Sequence, residues 1–278
     1  MGLLTTARPR LQPLGKPRLH GLIYHHALWS RSTPFIPRRV ISMSQSITRE
    51  LLDNRLRNEL VRHPFFEAVK REPLTREQVT VFLAQWWHPL HYFPTFLSRL
   101  ISVVPKLEDK TAISKILWQE LGEGDIERAH ERIYISTMTD VGFAREAFVD
   151  VEPLPATRKL VERYEVASRE ALQGLGFLYG TEVADYPMVS GIGRAVKRVT
   201  AVKQLPWVTI HAQQEPEHVR SANATLKSEK KGKESPDSAA VVRGAEEMWT
   251  LWIAFFSELQ RELFEEAPRT TRRVRKAS

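Results

Sequence analysis

Apolar residues recur at helical spacing along the chain from Ser46 onward, and no stretch alternates between apolar and polar residues as a strand would. A charged, low-complexity segment near residues 226–238 reads as a solvated loop before the last helical stretch. The sequence contains no internal repeat. The pattern therefore predicts an all-α fold in which residues 43–268 form a single domain, a bundle of about seven helices.

The clearest helix start is the segment LTREQV, residues 74–79. Thr75 as the N-cap and Gln78 three residues later form a predicted capping box, with an apolar residue on either side as the hydrophobic staple. The helix that begins here contains Pro89 and Pro94, and we expect these prolines to kink it. A second long helix is predicted over residues 156–184.

The net charge of +8 lies at the two ends of the chain. Residues 1–42 hold seven Lys or Arg residues and no acid, and residues 269–278 hold five and no acid, which leaves a net charge of −4 on residues 43–268. The body is mildly acidic, so a phosphate-binding surface is not indicated. We expect neither a nucleic acid nor a membrane as a partner.

The first 42 residues are rich in arginine and free of acids, as in an organellar transit peptide. Five prolines count against one amphipathic helix there. We interpret this segment as a disordered or untranslated extension before Met43 and expect a cytoplasmic protein, with organellar import as the alternative. Residues 269–278 are interpreted as a basic tail. No apolar run approaches the ~20 residues that a transmembrane helix needs.

The chain has no cysteine, which excludes disulfides, thiolate metal sites and a cysteine nucleophile. Metals held without thiolates are bound by histidine and carboxylate. In the segment HAQQEPEH, His211, Glu215 and His218 are spaced four and then three residues apart. At roughly 100° per residue, their side chains lie within about 60° of one another on a helix. They are the strongest candidate ligands in the sequence.

Glu182, in LGFLYGTEVADY, is the second candidate. It follows Leu175 and Leu178 at helical spacing and so falls on the apolar stripe. An unpaired carboxylate in an apolar interior is very costly. Glu182 therefore needs a partner, either a metal ion or an arginine.

The segment LWQELGEGDIERAH supplies the third candidate. Glu120 stands near the end of an apolar helix, and His130 follows a break at Gly122 and Gly124. The acids between them, Glu127 included, are interpreted as surface residues. In company with Glu182 and the HAQQEPEH residues, this gives three carboxylates and three imidazoles, which suits two iron or manganese ions in a bundle core better than one structural zinc.

A competing scheme uses the Glu-x-x-His spacing of ferritin-like diiron bundles. Here Glu127–His130 and Glu215–His218 would be the two pairs, with Glu182 and an earlier acid completing the set. This scheme predicts the same metal chemistry but leaves His211 without a role. The choice between Glu120 and Glu127 as the first carboxylate stays open.

With these residues the chain resembles the haem-oxygenase-like diiron oxidases and oxygenases, relatives of thiaminase II and of the pyrroloquinoline-quinone-synthesis C proteins. The resemblance covers about residues 74–224 and rests on the segments ELGEGDIERAH, LYGTE and HAQQEPEH. It implies a haem-oxygenase-like bundle that binds two Fe(II) ions, with manganese as an alternative. The implied ligands are Glu120, His130, Glu182, His211, Glu215 and His218. The family usually has aspartate at position 215, and Pro216 is unexpected, which puts the affinity of one iron site in question.

The resemblance also implies that dioxygen is a cosubstrate and that a small metabolite is oxidised, by N-oxygenation or by oxidative C–C cleavage of an amine, amino acid or fatty acid. An external electron donor and a homodimer are left open. The lack of cysteine argues against the thiaminase branch, and the proximal histidine motif for haem finds no match. The alternatives are a metal-free helical binding or scaffold protein and a cofactor-independent oxidase of the quinone-synthesis C type.

The aromatic segment QWWHPLHYF and the surroundings of Glu182 suggest a substrate pocket. The candidate pocket residues are Gln85, Trp86, His88, Tyr92, Tyr179 and Tyr186. Asp185 is a further candidate beside Glu182. Gly174, Gly176 and Gly180 remove side-chain volume from the same helix, which either admits a close neighbouring helix or leaves space for substrate.

Overall fold

A computed structural model describes residues 43–227 and 236–265, and this part of the chain contains α-helices but no strand. The all-α prediction is therefore confirmed. The α-helices are α1 Met43–Leu52, α2 Arg55–Val61, α3 Pro64–Arg71, α4 Arg76–Val103, α5 Leu107–Glu120, α6 His130–Asp140, α7 Glu146–Val149, α8 Pro155–Ala167, α9 Ala171–Glu182, α10 Asp185–Val199, α11 Pro206–Lys227 and α12 Pro236–Gln260. A 3₁₀ turn, Ile126–Arg128, precedes α6, and a π-helical stretch, Arg261–Glu265, follows α12.

The predicted number of helices, about seven, is too low, because the described residues form twelve α-helices. Short helices at the start of the domain are separated by local caps. The Asn54 side chain accepts a hydrogen bond from the amide of Leu56 at the start of α2, and His63 caps α3 in the same way. The long helix predicted over residues 156–184 is divided at residues 168–170 into α8 and α9. These helix boundaries depend on local capping hydrogen bonds, which apolar periodicity does not reveal.

Helix α4 forms one wall of the core. Thr75 and Gln78 make the predicted capping box, which is thereby confirmed, and the helix continues through Pro89 and Pro94 to Val103. Its buried face is largely aromatic and aliphatic. This wall faces the ends of the helices that carry the candidate ligands.

The glycines of α9 admit a close neighbour. A Cβ atom added to Gly176 would lie 2.3 Å from the Val241 carbonyl oxygen and 2.8 Å from the Gly244 Cα atom, both in α12. Gly180 also faces α12, and its carbonyl accepts a hydrogen bond of 2.8 Å from the Trp249 indole. At Gly176 and Gly180, the missing side chains therefore accommodate helix α12 and leave no room for substrate.

The predictions for residues 1–42 and 269–278 lie outside the described residues. The charged loop predicted over residues 226–238 is shorter than expected, because α11 extends to Lys227 and α12 begins at Pro236, while residues 228–235 are not described. Among the helices of the described chain, none is long and apolar enough to cross a membrane.

Candidate metal centre

A tight turn between α5 and α6 brings the first two candidate ligands together. Glu120 is the last residue of α5 and His130 is the first of α6. Between them, Gly122 and Gly124 have φ angles of 84° and 93°, in the left-handed region that favours glycine. The turn places Glu120 Oε2 2.9 Å from His130 Nδ1, with both side chains buried.

The end of α9 supplies the next carboxylate. Glu182 is the last residue of α9 and is 2 % exposed. Its Oε2 atom lies 3.3 Å from His218 Nδ1, while Oε1 is buried without a hydrogen-bond partner. Asp185 begins α10 one turn later and is partly buried on the same side of the core. The predicted need of Glu182 for a partner is met here by a histidine, not an arginine.

Helix α11 presents the remaining candidate ligands along one face. His211 Nδ1 donates a hydrogen bond of 2.8 Å to the Trp207 carbonyl oxygen one turn earlier. This bond fixes the tautomer, so that Nε2 keeps its lone pair available for a cation. His218, two turns after His211, is 4 % exposed, and its Nε2 atom is buried without a hydrogen-bond partner.

Gln214, which is not among the residues predicted from the sequence, orients His130. The His130 Nε2 atom donates a hydrogen bond of 2.7 Å to Gln214 Oε1. The lone pair of His130 then lies on Nδ1, beside the Glu120 carboxylate. The sequence does not predict this hydrogen bond between α6 and α11, because Gln214 is an ordinary polar residue between His211 and Glu215.

The close contact between Glu120 and His130 is not a well-formed hydrogen bond. Although Oε2 lies 2.9 Å from Nδ1, that nitrogen has no partner in hydrogen-bond geometry. Two ligand atoms bound to one metal at about 2.0–2.2 Å, with angles near 90–110°, are separated by about 2.9–3.5 Å. The 2.9 Å contact between Glu120 Oε2 and His130 Nδ1 falls in this range.

Burial and charge act in opposite directions on the ion pairs. Burial by itself would raise the pKa of Glu120, but the charges on His130 and His218 outweigh it and lower that pKa to about 2. Burial likewise disfavours the charged form of His218, yet Glu182 and Glu120 raise its pKa to about 9. The same balance with Glu120 raises the pKa of His130.

The pKa values of the other three titratable groups at this centre are shifted towards their neutral forms. Burial, together with the nearby Asp185 and Glu182 carboxylates, raises the pKa of Glu215 to about 9. Burial and the Glu182 carboxylate raise the pKa of Asp185 to about 8. Burial and the His130 charge lower the pKa of His211 to about 3. Carboxylates that hold protons at neutral pH would lose those protons to solvent when a cation binds.

A cavity of about 40 Å³ adjoins these groups. Its walls join apolar residues of α4 to the acids and imidazoles at the ends of α5, α9 and α11. The lining residues are Trp86, Pro89, Leu90, Phe93, Glu120, Tyr164, Thr181, Glu182, Asp185, His211 and His218. No lysine or arginine is among them.

The donor set fits divalent cations in its chemistry, since it offers carboxylate and imidazole with no thiolate. In the described part of the chain, no group of three or more His, Asp or Glu side chains is already arranged as a metal site. The donors meet in pairs, Glu120 with His130 and Glu182 with His218. The unpartnered atoms His130 Nδ1, Glu182 Oε1 and His218 Nε2 are the ones that a cation would satisfy.

The six predicted metal ligands are thus brought to one part of the core. Glu120, His130, Glu182, His211 and His218 are buried, and Glu215 is partly buried among them. Glu127 is exposed in the 3₁₀ turn, which favours Glu120 as the first carboxylate. Helix α11 runs through Pro216 without a break.

The predicted pocket residues are more scattered. Trp86 lines the cavity, whereas Gln85 is buried and bonds the backbone of Glu152 and Leu154. The other four predicted pocket residues are not among the described residues that line the cavity. They are His88, Tyr92, Tyr179 and Tyr186.

These four residues differ in exposure and in their contacts. Tyr179 is fully buried, and Tyr186 is 45 % exposed. Tyr92 is partly buried and accepts a hydrogen bond of 2.8 Å from Arg99 at the surface. His88 is partly buried, with a buried Nε2 atom that has no hydrogen-bond partner. The cavity residues that were missed, Tyr164 among them, lie on helices whose facing sides the sequence does not specify.

Comparison with known proteins identifies the family. The protein-family model described as iron-containing redox enzyme matches residues 80–253, which is more than half of the chain. This chain belongs to the iron-containing redox enzyme family. It is therefore related to oxidoreductases, as the resemblance implied.

A curated relative of this family member is 4-chloro-allylglycine synthase from Streptantibioticus cattleyicolor, which is 24 % identical over 166 residues. The match spans 58 % of this chain and 63 % of that relative's length.

Solved structures confirm the haem-oxygenase-like fold. A domain with a heme oxygenase-like fold from Shewanella denitrificans aligns with a TM-score of 0.60 and 19 % identity, over 79 % of this chain and 91 % of that chain. A CADD-like protein from Nostoc punctiforme aligns with a TM-score of 0.66 and 15 % identity, over 80 % and 99 % respectively. At these identities the likeness concerns the fold alone.

Proposed function

We propose that this member of the iron-containing redox enzyme family is a non-haem diiron enzyme that uses dioxygen to oxidise a small amine. The observation that carries the proposal is the pairing of Glu120 with His130 and of Glu182 with His218, at 2.9 Å and 3.3 Å in the core. Each pair includes buried donor atoms without a hydrogen-bond partner. The two pairs are neighbours, since His218 Nδ1 also lies 3.9 Å from Glu120 Oε1, and four donors so close together support two adjacent metal ions better than one.

The residues that would hold the metals are the six at this centre, namely Glu120, His130, Glu182, His211, Glu215 and His218. Two ferrous ions bound there would supply the electrons that activate dioxygen. The dependence on iron and the use of dioxygen are part of this proposal. Manganese is the alternative metal for the same donors.

The protein's own contribution is to orient the donors and to exclude water. The Trp207 carbonyl holds the His211 ring, and Gln214 holds the His130 ring, so that each imidazole presents one nitrogen to the centre. Trp86 and Phe93 of α4 cover the opposite side of the cavity with apolar surface. This cover would restrict water and keep the oxidant close to the substrate.

The charge of the cavity supports an amine rather than a fatty acid as substrate. Three carboxylates of the ligand set would be neutralised by the metals, whereas Asp185 lines the cavity as a fourth acid. No lysine or arginine lines the cavity beside its carboxylate, and bound metal ions would leave His218 neutral. We propose that Asp185 binds the ammonium or amino group of the substrate, and that this group directs either N-oxygenation or oxidative C–C cleavage.

The test is the iron content of the full chain after anaerobic reconstitution with Fe(II), followed by visible spectroscopy on mixing with dioxygen. We expect near two irons per chain and a transient absorption band. Both should be lost in Glu182→Ala and retained in Glu162→Ala, which changes an exposed acid of α8. Absence of stoichiometric iron from the wild-type protein would overturn the proposal in favour of a metal-free binding protein or a cofactor-independent oxidase.

A further inference from the structure

A continuous series of rings connects the candidate metal centre with the protein surface. From the inside outward, the ring centroids are separated by 4.6 Å between His211 and Trp207, 5.0 Å between Trp207 and Tyr134, 6.3 Å between Tyr134 and Trp87, and 5.1 Å between Trp87 and His91. The last two contacts are stacked. We call Trp207, Tyr134 and Trp87 the aromatic path.

The two ends of the aromatic path differ in exposure. Trp207 is fully buried against the candidate ligand His211. Trp87 is 7 % exposed and lies beneath His91, whose side chain is 61 % exposed. The path therefore crosses the shell of α4, α6 and α11 that separates the centre from solvent.

The polar atoms of the path favour passage of an electron without a proton. The Trp207 indole nitrogen is buried and has no hydrogen-bond partner, so an oxidised Trp207 would have no base to take its proton. An indole radical cation that keeps its proton remains strongly oxidising and can take an electron from a neighbouring ring. Such an indole passes the oxidation on and does not retain it as a stable radical.

Tyr134 has a different part in the path. Its hydroxyl donates a hydrogen bond of 2.8 Å to the Leu83 carbonyl oxygen, which is a poor proton acceptor. Burial also raises the pKa of Tyr134. Oxidation of a phenol requires loss of its proton, so Tyr134 is suited to be a contact between two indoles and not a radical site.

We propose that the aromatic path carries single electrons from the surface at Trp87 to the candidate metal centre. In each electron transfer, the oxidised centre takes one electron from Trp207. Trp87 then reduces the oxidised Trp207 through Tyr134. An external one-electron reductant of the thiol or ascorbate class finally reduces the oxidised Trp87. The centre is reduced by one electron and the reductant is oxidised by one, with no proton moved along the path. The physiological oxidant in this scheme rests on the proposed diiron function.

The other tryptophans near the centre do not offer such an exit. Trp86 contacts Trp207 at 6.1 Å and Trp252 at 5.2 Å, but Trp252 is 2 % exposed and its ring contacts continue into phenylalanines. Phenylalanine is far harder to oxidise than tryptophan. Of the ring series in the described chain that begin at Trp207, the one through Tyr134 ends beneath an exposed side chain.

The path can be tested without iron. His91 Nδ1 pairs with Glu131, so a ruthenium bipyridyl photosensitiser can be attached through the other ring nitrogen of His91. Metal-free full-length protein labelled singly at His91, as verified by peptide mapping, is oxidised at the label by laser flash and quench. We expect a transient tryptophan radical signal formed in two steps, first from Trp87 and then from Trp207.

Four variants give the test its specificity. Trp87→Phe should slow reduction of the flash-generated Ru(III) at least 100-fold, and Trp207→Phe should remove the second step alone. Tyr134→Phe should leave both rates within threefold, because the ring contact remains. Trp118→Phe, at a tryptophan that is 55 % exposed and off the path, should change nothing. Thermal unfolding of each variant verifies that it is folded.

Unchanged rates in Trp87→Phe or in Trp207→Phe would overturn the path, as would loss of transfer in Tyr134→Phe. Because this measurement needs no metal, its outcome is independent of the iron content that tests the proposed function. In iron-loaded protein exposed to dioxygen without substrate, peptide mass spectrometry provides a second readout. Trp87→Phe should increase oxidation of Trp207 at least threefold over wild type, whereas no increase would contradict the path.

Discussion

Glu120 Oε2 lies 2.9 Å from His130 Nδ1, although the two residues belong to different helices and the nitrogen is not aligned to donate a hydrogen bond. This arrangement supports their proposed role as neighbouring metal ligands, and Gln214 holds the far side of the imidazole ring. Glu127, the other acid at a plausible spacing from His130, points away into solvent.

The first prediction separates these two acids. Glu120→Gln should reduce the iron bound after anaerobic reconstitution from near two to at most one per chain, because an amide oxygen is a much weaker ligand than a carboxylate. Glu127→Gln should retain the wild-type content. Elemental analysis of the desalted proteins measures both. Equal iron loss in the two variants would contradict the assignment of Glu120.

The second prediction concerns the turn that brings Glu120 and His130 together. A Cβ atom on Gly122 would lie 2.1 Å from the Asp125 carbonyl oxygen, and the φ angle is 84°. Gly122→Ala should therefore lower the free energy of unfolding by about 2 kcal/mol or more. Urea denaturation followed by circular dichroism measures the change.

Gly142 provides the matched control, since its φ angle is 87° but a Cβ atom there would meet the guanidinium end of the Arg76 side chain at 2.9 Å instead of a backbone atom. Gly142→Ala should cost only about 1 kcal/mol, mainly from the backbone conformation. If Gly142→Ala proves as damaging as Gly122→Ala, backbone crowding at the α5–α6 turn is not what requires glycine.

The third prediction is the pH dependence of the metal-free protein. In the folded state the pKa of Glu215 is raised to about 9, that of Asp185 to about 8 and that of His218 to about 9. Between pH 6.5 and 8 the folded state thus holds more protons than the unfolded state, so stability falls as the pH rises. We expect a loss on the order of 5 kcal/mol over this window.

Chemical denaturation at a series of pH values tests this expectation, and Glu215→Gln serves as the comparison. Removal of that carboxyl group should flatten the decline. Iron-loaded protein should show the opposite slope, because bound cations favour the deprotonated carboxylates and neutral histidines. A metal-free protein whose stability rises between pH 6.5 and 8 would refute the electrostatic description of the centre.

The fourth prediction addresses the substrate. Asp185→Asn should weaken binding of ethylammonium to the iron-loaded protein at least tenfold, because a charge-assisted hydrogen bond is replaced by a neutral one. Iron content should be unchanged. Titration followed by nuclear magnetic resonance compares the variant with wild type and with Asp150→Asn, which alters an exposed acid. If acetate binds better than ethylammonium in the wild-type protein, the amine assignment fails.

Sequence patterns were sufficient wherever the geometry is local to one helix. Apolar periodicity predicted the all-α fold, Thr75 and Gln78 predicted a capping box, and the spacing of His211 and His218 predicted a shared face. The absence of cysteine confined the ligand types to imidazole and carboxylate. Such features depend on the fixed 3.6-residue turn of the helix, which the order of residues alone defines.

Tertiary structure decided the contacts between helices. It favoured Glu120 over Glu127, placed Gln214 against His130, used Gly176 for close packing with α12, and left Tyr92 at the surface. These outcomes depend on the rotation of each helix about its axis and on its distance from its neighbours. Both are set by the packing of the whole core, whose buried side chains come from helices far apart in the chain, and local periodicity carries no record of that arrangement.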